Sequence, residues 1–188
     1  MITQLDKRTA LVLVDLQKGI IQFPLANPIE DVLANAAKLV AAFRAKNLPI
    51  VVVNVNPSLN KRPATRKDAN QPPREFDAEW LEIAPEIKTQ PDDIFITKQT
   101  WNVFFETGLH EQLQAIGVTG IVLAGVSTSI GVEGTARSAF EFGYNIAFAQ
   151  DAMTDMIAEA QERSIKYIFP RIGQVDSTDQ IIEVLKGK

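Results

Sequence analysis

Apolar residues in this chain come in short continuous runs, separated by stretches in which they recur at helical spacing. The runs at 10–14, 50–55, 94–97, 121–123, 145–149 and 172–175 are rich in β-branched and aliphatic residues. Continuity rather than alternation predicts strands, most of them buried on both faces. The clearest helical pattern is 30–46, where Val32, Leu33, Ala36, Leu39, Val40 and Phe43 recur three and four residues apart. That helix is expected to end near Asn47, ahead of Pro49. Further helices are predicted over 109–116, 130–142, 157–168 and 178–185. Strands alternating with helices place the chain in the α/β class, with a doubly wound, mostly parallel six-stranded sheet covered by helices on both faces.

The rhythm breaks at 57–91, a proline-rich stretch with the basic cluster Lys61, Arg62, Arg66 and Lys67. It is too long for a plain connection, which predicts an excursion over the surface serving as a lid, an oligomer contact or a mobile loop. No repeat or composition shift divides the chain, so residues 1–188 read as one domain, a size that suits a single core. A formal charge of −4 gives no basic surface to attract nucleic acid. No apolar run of about 18 residues marks a membrane span, and the first residues lack the apolar stretch of a signal peptide. A cytoplasmic location is the expectation. The chain has no Cys and one His, which rules out disulfides and thiolate zinc sites.

In open α/β sheets, ligands collect beyond the carboxyl ends of the strands. Asp15 closes the first strand and Lys98 the third. A turn of small residues, Gly125-Val-Ser-Thr-Ser-Ile-Gly131, joins the fourth strand to a helix. Alone, Asp15 reads equally as a strand-end cap and Lys98 as a solvated charge. Together they form a proton-transfer pair, in which burial raises the carboxyl pKa and the ammonium lowers it. Which of the two prevails is open at this level. Ser127 or Ser129 activated by Lys98 is another reading, and Arg62 or Arg66 is either a carboxylate clamp or part of a solvated basic loop. His110 falls within a helix pattern, so a zinc site and a Ser-His-Asp triad are not expected. The glycines lack the spacing of a dinucleotide fingerprint and there is no Walker-type Lys-Ser/Thr pair, so no cofactor is expected.

On these residues the chain resembles the isochorismatase-like hydrolases, also called the cysteine hydrolase family. The likeness runs from Leu11-Val-Leu-Val-Asp-Leu-Gln17 to Asp151-Ala-Met153. It implies that Asp15 and Lys98 take the family's Asp and Lys positions. Gly131 stands where amide-hydrolysing members carry the nucleophilic Cys, so their covalent acyl route has no nucleophile here. The resemblance then favours the isochorismatases, which are similar in having Gly at that place. They hydrolyse a vinyl ether by protonating it on carbon and adding water to the resulting oxocarbenium ion. The expected function is acid-assisted hydrolysis of a small carboxylate-bearing molecule, the alternative being an inactive ligand-binding or structural member.

By the same resemblance Asp15 donates the proton, Lys98 orients it, and the amides around Gly131 receive a carboxylate or oxyanion. Gln17, Phe23, Asn56, Trp101, Phe104, Val126, Ser127 and Ile130 are the implied substrate contacts. Plain packing is an equal reading for the aromatic residues. The compared isochorismatases carry Tyr and His where this chain has Ser127 and Ser129, so an aromatic wall or polar contact is missing. A cis peptide near Val126-Ser127 and a homodimer or homotetramer are also implied.

Overall fold

Side chains of β1 (Thr9–Val14) leave the backbone to alternate sides, Leu11 and Leu13 toward one apolar layer and Ala10, Val12 and Val14 toward the other. The two-residue period of a strand requires this, and two filled layers explain why the run is apolar throughout. The computed structural model describes residues 1–63, 65–69 and 76–187. β2 (Ile50–Val55), β3 (Ile94–Lys98), β4 (Gly120–Val126), β5 (Asn145–Thr154) and β6 (Gln174–Asp176) join β1 in a parallel sheet of order β3-β2-β1-β4-β5-β6. The helix α2 (Ile29–Ala45), between β1 and β2, and the last helix α8 (Thr178–Lys186) cover the first layer. The second is covered by α4 (Leu109–Ala115) and α5 (Glu133–Glu141). Shorter helices are α1 (Lys18–Ile21), α3 (Ala78–Leu81), α6 (Ala158–Arg163) and α7 (Phe169–Ile172). Among the described residues, no helix is long and apolar enough to cross a membrane.

The spacing of α2 predicts its buried stripe of Val32, Leu33, Ala36, Leu39, Val40 and Phe43, and the helix ends with Asn47 at φ 51°. Elsewhere the boundaries move. The last strand is Gln174–Asp176 rather than 172–175, because Ile172 ends α7. The helix expected over 130–142 begins as a π turn at Thr128–Val132 before α5. That expected over 157–168 is α6 followed by a π turn at Ser164–Ile168 and then α7, which accepts Pro170 in its first turn, where no intrahelical N–H bond is lost.

The 57–91 segment is more than a loose excursion, although residues 64 and 70–75 lie outside the described part. Its second half straps over the chain leaving β1. The Lys18 amide donates to Glu82 O at 2.8 Å, the Ala84 amide to Leu16 O at 2.9 Å, and Gln17 bridges to Ile83. Lys18 also pairs with Glu82 at 2.6 Å.

Candidate active site

The connections run outward in opposite directions from β1 and β4, which lie side by side at the centre of the sheet. Such a switch point opens a crevice at the carboxyl ends of the two strands. Asp15 follows β1 there with φ 53°, a left-handed conformation that Asp tolerates better than most residues, and its amide donates to Val53 O at 3.0 Å. β4 approaches so closely that a Cβ on Gly125, at φ 126°, would overlap the Val14 carbonyl. Only glycine fits that place. One residue later, the Val126-Ser127 peptide is cis.

Lys98 reaches this crevice from the end of β3, two strands away. Its Nζ donates to Asp15 Oδ2 at 2.6 Å and to Thr100 O at 3.0 Å, and the side chain is 2% exposed. Burial pushes the Asp15 carboxyl up from the usual 3.8 to about 6, against the opposing pull of the Lys98 ammonium. Desolvation therefore outweighs attraction, and the acid titrates where proton donation near neutrality becomes practical. Two buried oxygens at this corner, Asp15 Oδ1 and Thr128 Oγ1, have no hydrogen-bond partner among the described residues.

Gly131 faces the pair. A Cβ built on it would lie 3.5 Å from Asp15 Oδ2, 3.4 Å from Val126 O and 3.2 Å from Val14 Cγ1. The position expected to lack a nucleophile thus sits against the carboxyl group, in space that a side chain would crowd. Ser127 O accepts from the Ile130 and Val132 amides, at 3.1 Å each, which folds the turn back on itself. The Thr135 hydroxyl donates to Gly131 O at 2.7 Å and accepts the Val103 amide at 3.2 Å. It ties the turn to the loop that follows Lys98.

Other expected contacts are placed less uniformly. Gln17 is fully buried beside the site. Its Oε1 accepts the Val55 amide at 2.7 Å, and its Nε2 donates to Val55 O and Trp80 O at 3.2 and 3.1 Å, so the side chain joins β1, β2 and the strap. Asn56 caps the turn at Pro57–Leu59 through Ser58 N, and its own amide donates to Lys98 O at 2.8 Å. Val126 is buried at the cis peptide, while Ser127, Ile130 and Phe23 are half-buried. Trp101 is 65% exposed, alongside α5. Phe104 packs against Phe142 and Tyr144 at the amino end of β5, away from the edge that carries Asp15. His110 bonds to Tyr144 Oη at 3.0 Å and stacks on Phe142 in that same region.

The Ser-Lys reading loses Ser129, whose hydroxyl donates to Asp155 Oδ2 at 2.8 Å, while Lys98 bonds to Asp15 and Thr100. Asp155 and Thr135 are site residues that the sequence pattern did not single out. Arg62 is organised rather than simply solvated: Nε donates to Asn60 Oδ1 at 3.1 Å and the guanidinium lies 4.4 Å from the Phe105 ring centre. It lines a groove of about 560 Å³ with Lys61, Glu106 and Gln99, the residue after Lys98. Arg66 is exposed.

The family model described as the isochorismatase domain matches residues 9–180, which include every residue of this crevice. The isochorismatase family protein YwoC of Bacillus subtilis is 42% identical over 183 residues, covering 96% of this chain and 95% of that protein. YecD, an isochorismatase family protein of Escherichia coli O157:H7, is 39% identical over 182 residues, covering 95% and 97%. The solved structure of an isochorismatase family protein from Burkholderia thailandensis superposes with a TM-score of 0.93 at 37% identity, covering 99% of this chain and 100% of that one. With the Asp15–Lys98 pair at the switch point and these matches along nearly its whole length, the chain belongs to the isochorismatase family.

Proposed function

We propose that this protein hydrolyses a small carboxylate-bearing molecule of vinyl ether type, with Asp15 as the acid and no covalent enzyme intermediate. The observation that carries this reading is a buried carboxyl, pushed up to about 6, beside a position that holds no side chain. A thiolate route needs a nucleophile, and the chain has no Cys. Protonated Asp15 delivers its proton to the β-carbon of the enol ether, leaving an oxocarbenium ion. Water adds to that ion and returns a proton to the Asp15 carboxylate, and the resulting hemiketal breaks into a ketone and an alcohol. Lys98 holds Asp15 Oδ2, while Oδ1 is buried without a partner among the described residues and is the oxygen to which we assign the acid proton. In the groove beside Gln99, Arg62 is held by Asn60 and Phe105 and its Nη2 lies 3.9 Å from Glu106, so a substrate carboxylate would bind there by replacing Glu106 on the guanidinium.

Asp15→Asn tests the assignment, because the amide keeps the shape but has no proton to give. Turnover of an enol-ether carboxylate should fall by about a thousandfold or more, within the range expected for loss of an acid catalyst, with binding changed little. Unchanged turnover in Asp15→Asn would refute the role. Binding by the native protein without any product from vinyl ethers, amides or ureido compounds would favour a ligand-binding protein instead.

A further inference from the structure

Beyond Asp15 and Lys98, a second buried carboxylate borders the crevice. β5 advances five residues, from Phe148 to Met153, while its partner β4 advances two, from Leu123 to Gly125. The extra length sets Thr154 opposite Val126, the last residue of β4, and puts Asp155 just beyond it, beside the turn that holds Gly131. Asp155 is 1% exposed and forms no ion pair among the described residues. Three donors meet it instead. Oδ2 accepts the Ser129 amide at 2.7 Å and the Ser129 hydroxyl at 2.8 Å, and Oδ1 accepts the Ile157 amide at 3.2 Å. Its carbonyl accepts the Ala26 amide at 2.8 Å, while Thr154 Oγ1 and Met153 O hold Asn27 at 3.0 and 3.2 Å.

A carboxylate with no cation is costly to bury, and it is tolerated where several N–H and O–H donors converge on it. Here two of the three donors belong to one residue, two positions before Gly131. Thr135 holds the same turn through Gly131 O. We propose that Asp155 is a positioning residue, whose clamp on Ser129 sets the Gly131 turn in register with Asp15 and Lys98. Its consequence for turnover rests on the hydrolytic reading above, whereas its consequence for the geometry of the turn does not.

The test uses the full chain with Gly131→Cys as a reporter, because that thiol sits against Asp15 and the pH midpoint of its alkylation by iodoacetamide senses its surroundings. Adding Asp155→Asn or Ser129→Ala should each move the midpoint by at least about half a pH unit, and Ser129→Thr should restore it. In the native background, Asp155→Asn should lower kcat on an enol-ether carboxylate by about tenfold while KM changes less than about twofold, as expected when reacting groups are misplaced. A midpoint that moves in neither variant overturns the proposal. A shift with Asp155→Asn alone also overturns it, since loss of charge then suffices. If Asp155→Asn fails to fold, Ser129→Ala with its Ser129→Thr rescue decides the matter. Absence of vinyl ether turnover in the native protein would defeat the hydrolytic reading, and the thiol readout would still decide the role of Asp155.

Discussion

At the scale of single residues, the Asp15 carboxyl and the Lys98 ammonium meet in the crevice, and the pH behaviour of the carboxyl has a definite sign. Burial raises the Asp15 pKa from 3.8 to about 6, so the folded state holds this proton more tightly than the unfolded chain does. The charged form is a cost above about pH 6, relieved as pH falls toward 3.8. Denaturant midpoints should therefore show the native protein gaining on Asp15→Asn between pH 7 and pH 5. An Asp15 that acts as acid also predicts that kcat/KM declines as pH rises through about 6. Lys98→Met leaves a buried carboxylate without its cation and should cost about 3 kcal/mol at pH 7, and less at pH 5 where Asp15 takes up a proton; urea unfolding at both values measures the difference. Both residues were legible in the sequence because a charge that ends an apolar run stands out. Asp155 was not, since it does not close an apolar run, follows another carboxylate at Asp151 closely, and is brought to Ser129 only by the fold.

At the scale of elements, close backbone approach governs the site. Gly125→Ala should destabilise by more than about 4 kcal/mol or abolish folding, because its Cβ would collide with the Val14 carbonyl at a positive φ; expression and thermal unfolding report the outcome. Gln17→Leu removes three bonds at once and leaves the Val55 amide without its partner, which should lower stability by about 2 kcal/mol in chemical denaturation. Strand cores and α2 followed from apolar periodicity, since burying a face leaves a repeat in the chain. The ends of elements did not. Ile172 is as apolar as a strand residue but closes α7, and the π turn at Thr128–Val132 has no composition of its own. Phe104 was expected at the substrate because it follows Lys98 closely, yet the loop turns it toward Phe142 and Tyr144.

For the whole molecule, side-by-side placement of β1 and β4 with outward winding on each flank turns three separate segments into one crevice. Trp101, Phe140, Met156, Ile157 and Tyr167 are large apolar residues left exposed, and we propose that some of them are covered by a second copy of the chain. Light scattering at micromolar concentration should give a dimer or a larger assembly, and a single-chain mass would exclude it. The sequence by itself determined the α/β class, the strands that fill the two layers, the charged residues at their carboxyl ends and the absence of a thiol. Those properties are local, written in the order of apolar and polar side chains. Only the tertiary structure decided that Lys98 reaches past β2 to Asp15 Oδ2, that desolvation outweighs the attraction of its ammonium, and that Asp155 and Thr135 bond to the Gly131 turn. Each of these depends on distances between residues far apart in the chain, and such distances exist only once the sheet has set the order of its strands.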